Sequence, residues 1–269
     1  MIVQNLSNQQ YIDITPREFR QIVRRGEYTG DTQSVCRGYA RTAMAIVPQE
    51  YAFDFFLFAH RYPGVVPIIE VTEPGSPHPK KLAPDADLRT DLTSYHVFIK
   101  GNLETETHNI KAYWRDDSVA FLIGCSRGLD AVLQTAGINY RFLGVFSTNI
   151  YASAGRIRGG IRVTCRLIKG NQDAIRTIQI ASRYPAYHGT PLHIGDPSGI
   201  GIKDLYHPDI ISFGDTIAPV EPDELAMFWG CGMSLKSLAA DSKLPLMITD
   251  GNGAMFVTDR LNEELASLS

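Results

Sequence analysis

Two cysteines share one local pattern: each follows a glycine that ends an apolar run, and a helical pattern comes next. Cys125 lies in residues 121–126 (FLIGCS) and Cys231 in residues 227–232 (MFWGCG). At a helix start, backbone N–H groups and the helix dipole favour an anion and lower a cysteine pKa. A cysteine acting as a small buried hydrophobe after a turn glycine explains either position alone. Their repetition favours catalytic roles for both, with Gly124 and Ser126 as substrate-binding neighbours of the first.

A second concentration of reactive side chains lies in residues 182–197, where two histidines and an aspartate stand close together. The spacing of His188, His193 and Asp196 suits either acid–base chemistry or metal ligation. It is not the helical spacing of a zinc motif, and the intervening prolines exclude a helix. Proton transfer by His188 and substrate binding by His193 and Asp196 are therefore ranked above metal binding, and no metal is expected.

Arginines near two predicted turns are candidates for holding a substrate carboxylate. Arg37 precedes a helical pattern, and Arg89 ends a proline-rich loop of residues 72–92 beside Asp91. A guanidinium binds a carboxylate through two parallel hydrogen bonds. The alternatives are a surface arginine at position 37 and an ion-paired loop anchor at position 89.

Composition narrows the class of partner. The chain has 269 residues, 44% of them apolar, and a net charge of −3 from basic and acidic residues that are mixed throughout. No basic face for nucleic acid or an anionic membrane is indicated, so a small anionic metabolite, either an amino acid or a carboxylic acid, is the expected partner. Assembly into a homo-oligomer is compatible with this sequence.

Several features are missing from the sequence. There is no secretory start, no apolar stretch of membrane-spanning length and no CxxC pair, which predicts a cytoplasmic protein with free thiols. Nucleotide-binding glycine motifs, GxSxG and HExxH are also missing, so no cofactor is expected.

Local signals divide the chain into elements. Thr15, Pro16 and Glu18 form a helix start, and that helix should end near Gly26. Pro48 separates two further helical patterns, in residues 39–47 and 49–60. The remaining predictions are helices in residues 129–136, 172–182 and 235–240, and strands in residues 67–71, 95–100, 119–123, 141–168, 227–229, 246–249 and 255–258.

These elements predict an α/β fold. The main domain, with a mixed sheet, is assigned to residues 1–138 and 191–269. A smaller α+β subdomain is assigned to an insert of residues 139–190, because that stretch is rich in strand patterns.

Six blocks of sequence, taken together and in order, resemble the bacterial YcsI-like hydro-lyases, which share their domain with the D-glutamate cyclases. The blocks are residues 36–39 (CRGY), 69–75 (IEVTEPG), 88–92 (LRTDL), 121–126 (FLIGCS), 188–197 (HGTPLHIGDP) and 228–232 (FWGCG). The resemblance implies a two-part architecture of α/β and α+β regions. For the cyclase members it also implies conversion of D-glutamate to 5-oxo-D-proline with loss of water.

Two segments depart from the family pattern. Where the family carries Thr-His-Ala-Pro-Gly, this chain has residues 249–253 (TDGNG), with Asp250 in place of histidine. After Gly-Cys-Ser the family has an aromatic-containing segment ending in glutamate, and here residues 127–130 (RGLD) end in Asp130. If these positions contact the substrate, the chain acts on a related small carboxylate.

The corresponding mechanism divides three tasks among the candidates. Arg37 and Arg89 bind carboxylates, the turn of residues 124–126 stabilises an oxyanion through N–H groups, and Cys125, Cys231 or His188 moves protons. One alternative is a non-catalytic small-acid binding or regulatory protein, because helix N-termini also serve binding alone. A metalloenzyme using His188, His193 and Asp196 is a third reading.

Overall fold

The computed structural model describes residues 9–210 and 218–267. The chain divides into two compact units, each made from separate segments. The first unit comprises Met1–Phe53, Ile68–Ile123 and Lys243–Leu265, and the second comprises Asp54–Pro67, Gly124–Ser242 and Ala266–Ser269. The insert predicted at residues 139–190 lies within the second unit, which extends beyond it on both sides.

Helices and two β-sheets make up the described residues, which confirms the predicted α/β class. The helices are α1 (Pro16–Arg24), α2 (Gln49–Arg61), α3 (Gly128–Thr135), α4 (Asn171–Ala181) and α5 (Ser234–Ser242). The strands are β1 (Tyr39–Pro48), β2 (Ile68–Val71), β3 (Tyr95–Ile99), β4 (Asn102–Thr107), β5 (Ser118–Gly124), β6 (Tyr140–Ala154), β7 (Ile157–Lys169), β8 (His193–Ile194), β9 (Glu224–Gly230), β10 (Met247–Asp250) and β11 (Phe256–Leu261).

Helix α1 begins where its sequence predicts. Thr15 accepts a hydrogen bond from the Glu18 amide, and the Glu18 side chain accepts one from the Thr15 amide, which completes a capping box. Pro16 takes the first helical position, and Phe19 and Val23 are buried. The local capping signals therefore suffice to place this helix.

The helix predicted for residues 39–47 is wrong, because this segment is strand β1. It lies between β5 and β10 in the first unit's sheet, whose order is β2-β5-β1-β10-β3-β4, and it also pairs with β11. From Thr42 onward every residue of β1 is buried. A strand covered on both faces has no alternating pattern, so its apolar run resembled a buried helix. The helix predicted after Pro48 is confirmed as α2.

A four-stranded sheet of order β6-β7-β9-β8 forms the centre of the second unit. Strands β6 and β7 pair as an antiparallel hairpin, and β7 pairs with β9 in register Val163↔Gly230. Alternate residues of β7 have opposite surroundings: Val163, Cys165 and Leu167 pack in an apolar cluster with Phe228. The intervening side chains, among them Thr164 and Arg166, therefore face the other side of the sheet.

Within residues 9–210 and 218–267, no helix is long and apolar enough to cross a membrane.

Candidate active site

The first Gly-Cys turn joins the end of β5 to helix α3. Its own carbonyls accept backbone hydrogen bonds, from Gly128 N to Cys125 O at 2.9 Å and from Leu129 N to Ser126 O at 3.2 Å. A Cβ at Gly124 would lie 1.4 Å from the carbonyl oxygen of Ala186. Only glycine lets these two backbone segments approach so closely.

The second Gly-Cys turn joins β9 to helix α5 in the same way, with Ser234 N donating to Cys231 O at 2.9 Å. A Cβ at Gly230 would lie 2.1 Å from the Gly64 carbonyl oxygen and 2.9 Å from Nδ1 of His188. This glycine therefore allows the histidine ring to lie directly against the start of the second turn.

His188 lies in the second unit beside both turns, and its side chain is buried. Nδ1 donates a hydrogen bond to the Gly64 carbonyl at 3.0 Å, which leaves Nε2 as an acceptor. Nε2 is enclosed and has no hydrogen-bond partner in the described part of the chain. Burial lowers the pKa of His188 to about 4, although the nearby backbones of Gly64 and Gly124 favour the protonated ring. The ring is therefore neutral near neutral pH.

The segment around His188 brings the three predicted catalytic residues into one region of the second unit. The Ala186 carbonyl lies against Gly124, the Tyr187 ring lies where a Cβ at Gly128 would stand, and His188 lies against Gly230. Each contact involves a glycine within three residues of Cys125 or Cys231. Sequence reasoning proposed these residues separately, and the fold places them together.

Exposure distinguishes these two thiols from the others. All four cysteines are thiols rather than disulfides. Cys36 and Cys165 have no exposed surface, and burial raises the pKa of each to about 12. Cys125 and Cys231 retain 8% and 7% exposure. Because reactivity requires access, Cys36 and Cys165 are inert structural thiols by this measure.

A buried arginine that the sequence analysis did not single out supports the first turn. Arg166 donates from Nη2 to the Ser126 carbonyl at 2.8 Å and from Nε to Asp130 Oδ1 at 2.8 Å. Its guanidinium also lies over the Trp229 ring, 5.1 Å from the centroid, just before the second turn. Arg166 therefore connects the residues that lead into both turns. Its alternation with apolar residues along β7 was the available signal.

Asp130 balances two positive charges. Besides its bond to Arg166, its Oδ2 lies 3.0 Å from Nη1 of Arg127, an ion pair without the alignment of a hydrogen bond. The Arg127 guanidinium stacks on the Phe142 ring at 3.9 Å. The segment that departs from the family pattern thus keeps a buried carboxylate at its end.

The predicted residues Arg37, Arg89 and Asp91 lie in the first unit and already have partners. Arg37 donates to Asp13 at 2.6 Å on the surface, and Arg89 donates twice to Asp87 at 2.8 Å. The bond to Asp87 raises the pKa of Arg89. Asp91 accepts two bonds from Arg24 and one from the Asp87 amide. These contacts are those of loop anchors, and substrate binding by these residues stays a prediction.

His193 lies in the short strand β8 of the second unit, and Asp196 lies just after that strand, at the start of a 3-10 helix. Nε2 of His193 donates to the Asp196 carbonyl at 2.7 Å, and the Asp196 carboxylate accepts from the amide and hydroxyl of Ser198. Both side chains thus shape the short 3-10 helix Pro197–Ile200. No group of three or more potential metal ligands occurs in the described ranges of the chain.

This chain is similar to proteins of one family. The sequence profile of the D-glutamate cyclase family matches residues 119–259, a range that contains both Gly-Cys turns and His188. A Thermoanaerobacter protein named "Putative hydro-lyase" is 42% identical over 95% of this chain and 97% of its own length. A Bacillus pumilus protein of the same name is 40% identical over 96% and 99%. A nitrogen repressor-like protein from Methanococcus jannaschii aligns over 87% of this chain and 91% of its own, with a TM-score of 0.36 and 9% identity.

Proposed function

The chain belongs to the D-glutamate cyclase family of hydro-lyases, and we propose that it converts D-glutamate to 5-oxo-D-proline and water or dehydrates a related small carboxylate. One observation supports this most directly: the second Gly-Cys turn lies against a buried histidine whose Nε2 has no partner among the described residues, and the first turn lies against Ala186, two residues before that histidine. A buried acceptor without a partner is unfavourable in the free protein and can be satisfied by a substrate.

The reaction requires proton transfer at two places. The α-ammonium must lose a proton before its nitrogen attacks the γ-carboxyl carbon to form the new C–N bond. The C–O bond then breaks, and the departing oxygen leaves as water. Both protons that this water gains correspond to protons lost from the ammonium group, so the reaction balances without a cofactor. A base near the amine and an acid near the departing oxygen are needed.

The second unit offers a residue for each task. Cys125 and Cys231 supply one thiol or thiolate at each turn, so one accepts a proton and the other donates one. His188, with a pKa of about 4, stays neutral and orients the amine by accepting its hydrogen bond at Nε2. Backbone N–H groups of the turn around Ser126 stabilise the oxyanion that forms when nitrogen attacks.

The direct test measures product formation. Purified protein, freed of metal with a chelator, is incubated separately with D-glutamate and L-glutamate, and 5-oxoproline is followed by mass spectrometry against a protein-free blank. Formation from the D isomer above the blank is expected. Parallel reactions with added magnesium show whether a metal is required. No product from either isomer in either condition contradicts the cyclase proposal, and stabilisation by glutamate without turnover would favour a binding protein.

The thiol roles are tested by Cys125→Ser and Cys231→Ser. Each is expected to lower kcat by about 10²-fold or more, because a positioned acid or base contributes 10²–10⁴-fold. Cys165→Ala is the matched control. That thiol is fully buried in the apolar cluster, on the face of β7 opposite to Thr164 and Arg166. Thermal unfolding verifies that each variant is folded. Full turnover by Cys125→Ser rules out its acid–base role.

A further inference from the structure

Arg162 is a half-buried arginine on β7 whose charge is not matched by a carboxylate in the described residues. Its Nε is enclosed by protein and makes no hydrogen bond there. Other buried or partly buried arginines of the second unit have acidic partners: Arg127 and Arg166 with Asp130, Arg141 with Glu224, and Arg176 with Asp173. A half-buried guanidinium without a carboxylate partner is unfavourable unless a ligand matches its charge.

The backbone of Arg162 is fixed beside the second Gly-Cys turn. Its amide donates to the Ser234 hydroxyl at 3.0 Å, and that hydroxyl donates to its carbonyl at 3.2 Å. Ser234 is the first residue of α5. Strands β7 and β9 are antiparallel, with Val163 opposite Gly230. One residue back along β7 therefore corresponds to one residue forward from β9, which places Arg162 alongside Cys231.

The side chain of Arg162 lies on the same face of β7 as that of Thr164, which contacts the first Gly-Cys turn. Thr164, two residues on, donates to the Ser126 hydroxyl at 3.3 Å. The cross-strand partner of Arg162 is Ser147, which is exposed, so no described residue closes this end of the face from solvent. Asp209 approaches here but accepts from the amide and hydroxyl of Ser147 instead.

We propose that Arg162 is the carboxylate-binding residue of this site. Its two Nη groups donate two parallel hydrogen bonds to the carboxylate of the substrate that does not react, which for a 2-aminodicarboxylic acid is the α-carboxylate. The assignment rests on the proposed function for the identity of the substrate. It transfers to Arg162 the role that the sequence suggested for Arg37 and Arg89, both of which are bonded to their own aspartates.

The test uses glutarate, a five-carbon dicarboxylate that lacks the amine and cannot cyclise. Its affinity is measured by isothermal titration calorimetry for the full-length protein and for Arg162→Met, Arg162→Lys and Arg158→Met. Arg162→Met should weaken binding about 10- to 100-fold, as expected for loss of hydrogen bonds to a charged group. Arg162→Lys should recover part of the affinity, because it restores the charge without the planar fork. Arg158→Met is the matched control, an exposed arginine on the same strand, and should change the affinity less than about twofold.

Two further readouts separate a ligand-binding role from a structural one. Without ligand, Arg162→Met should unfold at the same temperature as the parent protein or a higher one, because it removes an unmatched charge. A large decrease in that temperature would mean that Arg162 holds the fold and would overturn the proposal. Equal glutarate affinity of the parent and Arg162→Met, including no binding to either, also overturns it. Glutarate binding that depends on Arg162 without turnover of D-glutamate would keep this site and refute the cyclase reaction.

Discussion

His188 holds a backbone conformation that few side chains adopt, with φ at 71° in the left-handed region. Such a residue stores strain that the surrounding structure must maintain, and strained residues concentrate at functional sites. The same residue is buried, donates from Nδ1 to Gly64, and leaves Nε2 without a partner in the described residues. Strain and an unmatched acceptor at one residue support the hypothesis that His188 has the functional role proposed above.

The ionisation of His188 predicts a pH-dependent stability. Its pKa is about 4 in the folded protein against a reference value of 6.5. Between these values the unfolded chain binds a proton that the folded protein does not, so the free energy of unfolding falls as pH drops from about 6.5 to about 4. The loss over the whole interval is about 3 kcal/mol, at 1.36 kcal/mol per pKa unit.

The matched variant is His188→Asn, because asparagine tolerates the left-handed conformation and can still donate to Gly64. Urea unfolding of both proteins is measured at about pH 7 and about pH 5. The parent protein should lose more stability than the variant between these conditions. Parallel losses in the two proteins would show that His188 does not carry the shift.

The predictability of the site differs from residue to residue. Cys125, Cys231 and His188 could be proposed from the sequence because turn glycines and a histidine have local signatures. Arg162 could not, since its distinction is the lack of an acidic neighbour, and that depends on the whole fold. Arg37 was proposed as a carboxylate-binding residue because the sequence does not reveal its partner, Asp13, which lies 24 residues away.

At the scale of elements, the two glycines that open the Cys turns are packing requirements. Gly124→Ala would place a methyl group 1.4 Å from the Ala186 carbonyl oxygen, so the turn and the His188 segment must separate. We expect a loss of about 3 kcal/mol or more in the free energy of unfolding, at the upper end of overpacking effects, together with loss of turnover. Urea unfolding and the 5-oxoproline assay measure the two effects.

Gly160→Ala provides the control for this prediction. Gly160 lies in β7, and a Cβ there would meet nothing within 4 Å. Its stability should change by less than about 1 kcal/mol, and the change can be an increase, because alanine restricts the unfolded chain. Similar losses in the two variants would mean that close packing at Gly124 is not the cause.

Elements were predictable where local chemistry defines them. The capping box of α1 and the proline before α2 placed both helices correctly. Strand β1 was mistaken for a helix because its burial depends on β10 and β11, about 200 residues later. Strand β4 was missed because it is polar and largely exposed, and its pairing with β3 leaves no apolar pattern in the sequence.

For the molecule as a whole, the division into units follows contacts that join distant segments. The first unit's sheet contains β10 between β1 and β3, with Ile248 opposite both Ile46 and Val97. The sequence patterns grouped neighbouring segments, and so placed an insert at residues 139–190. The contacts place residues 124–242, which include the predicted insert, in one unit and return the chain to the first unit at Lys243.

Truncation tests this organisation. A chain ending at Ser242 lacks β10 and β11, which removes the Asp250 side chain that accepts from the Met44 amide and the buried residues Ile248 and Phe256. The first unit should then lose its protection against proteolysis, while residues 124–242 stay protected. Limited proteolysis with mass spectrometry measures both, and a chain ending at Ser267 is the control. Equal protection of the first unit in the two chains would contradict the central role of β10.

The position of β10 also affects how the protein is made. A ribosome releases β1 about 200 residues before β10, one of its neighbours in the sheet, an interval of about 10 to 40 s at 5–20 residues per second. The edge of β1 that pairs with β10 therefore has no such partner during most of translation. Residues 54–67 and 124–242, which make up most of the second unit, are synthesised before the last segment of the first unit and can fold before it.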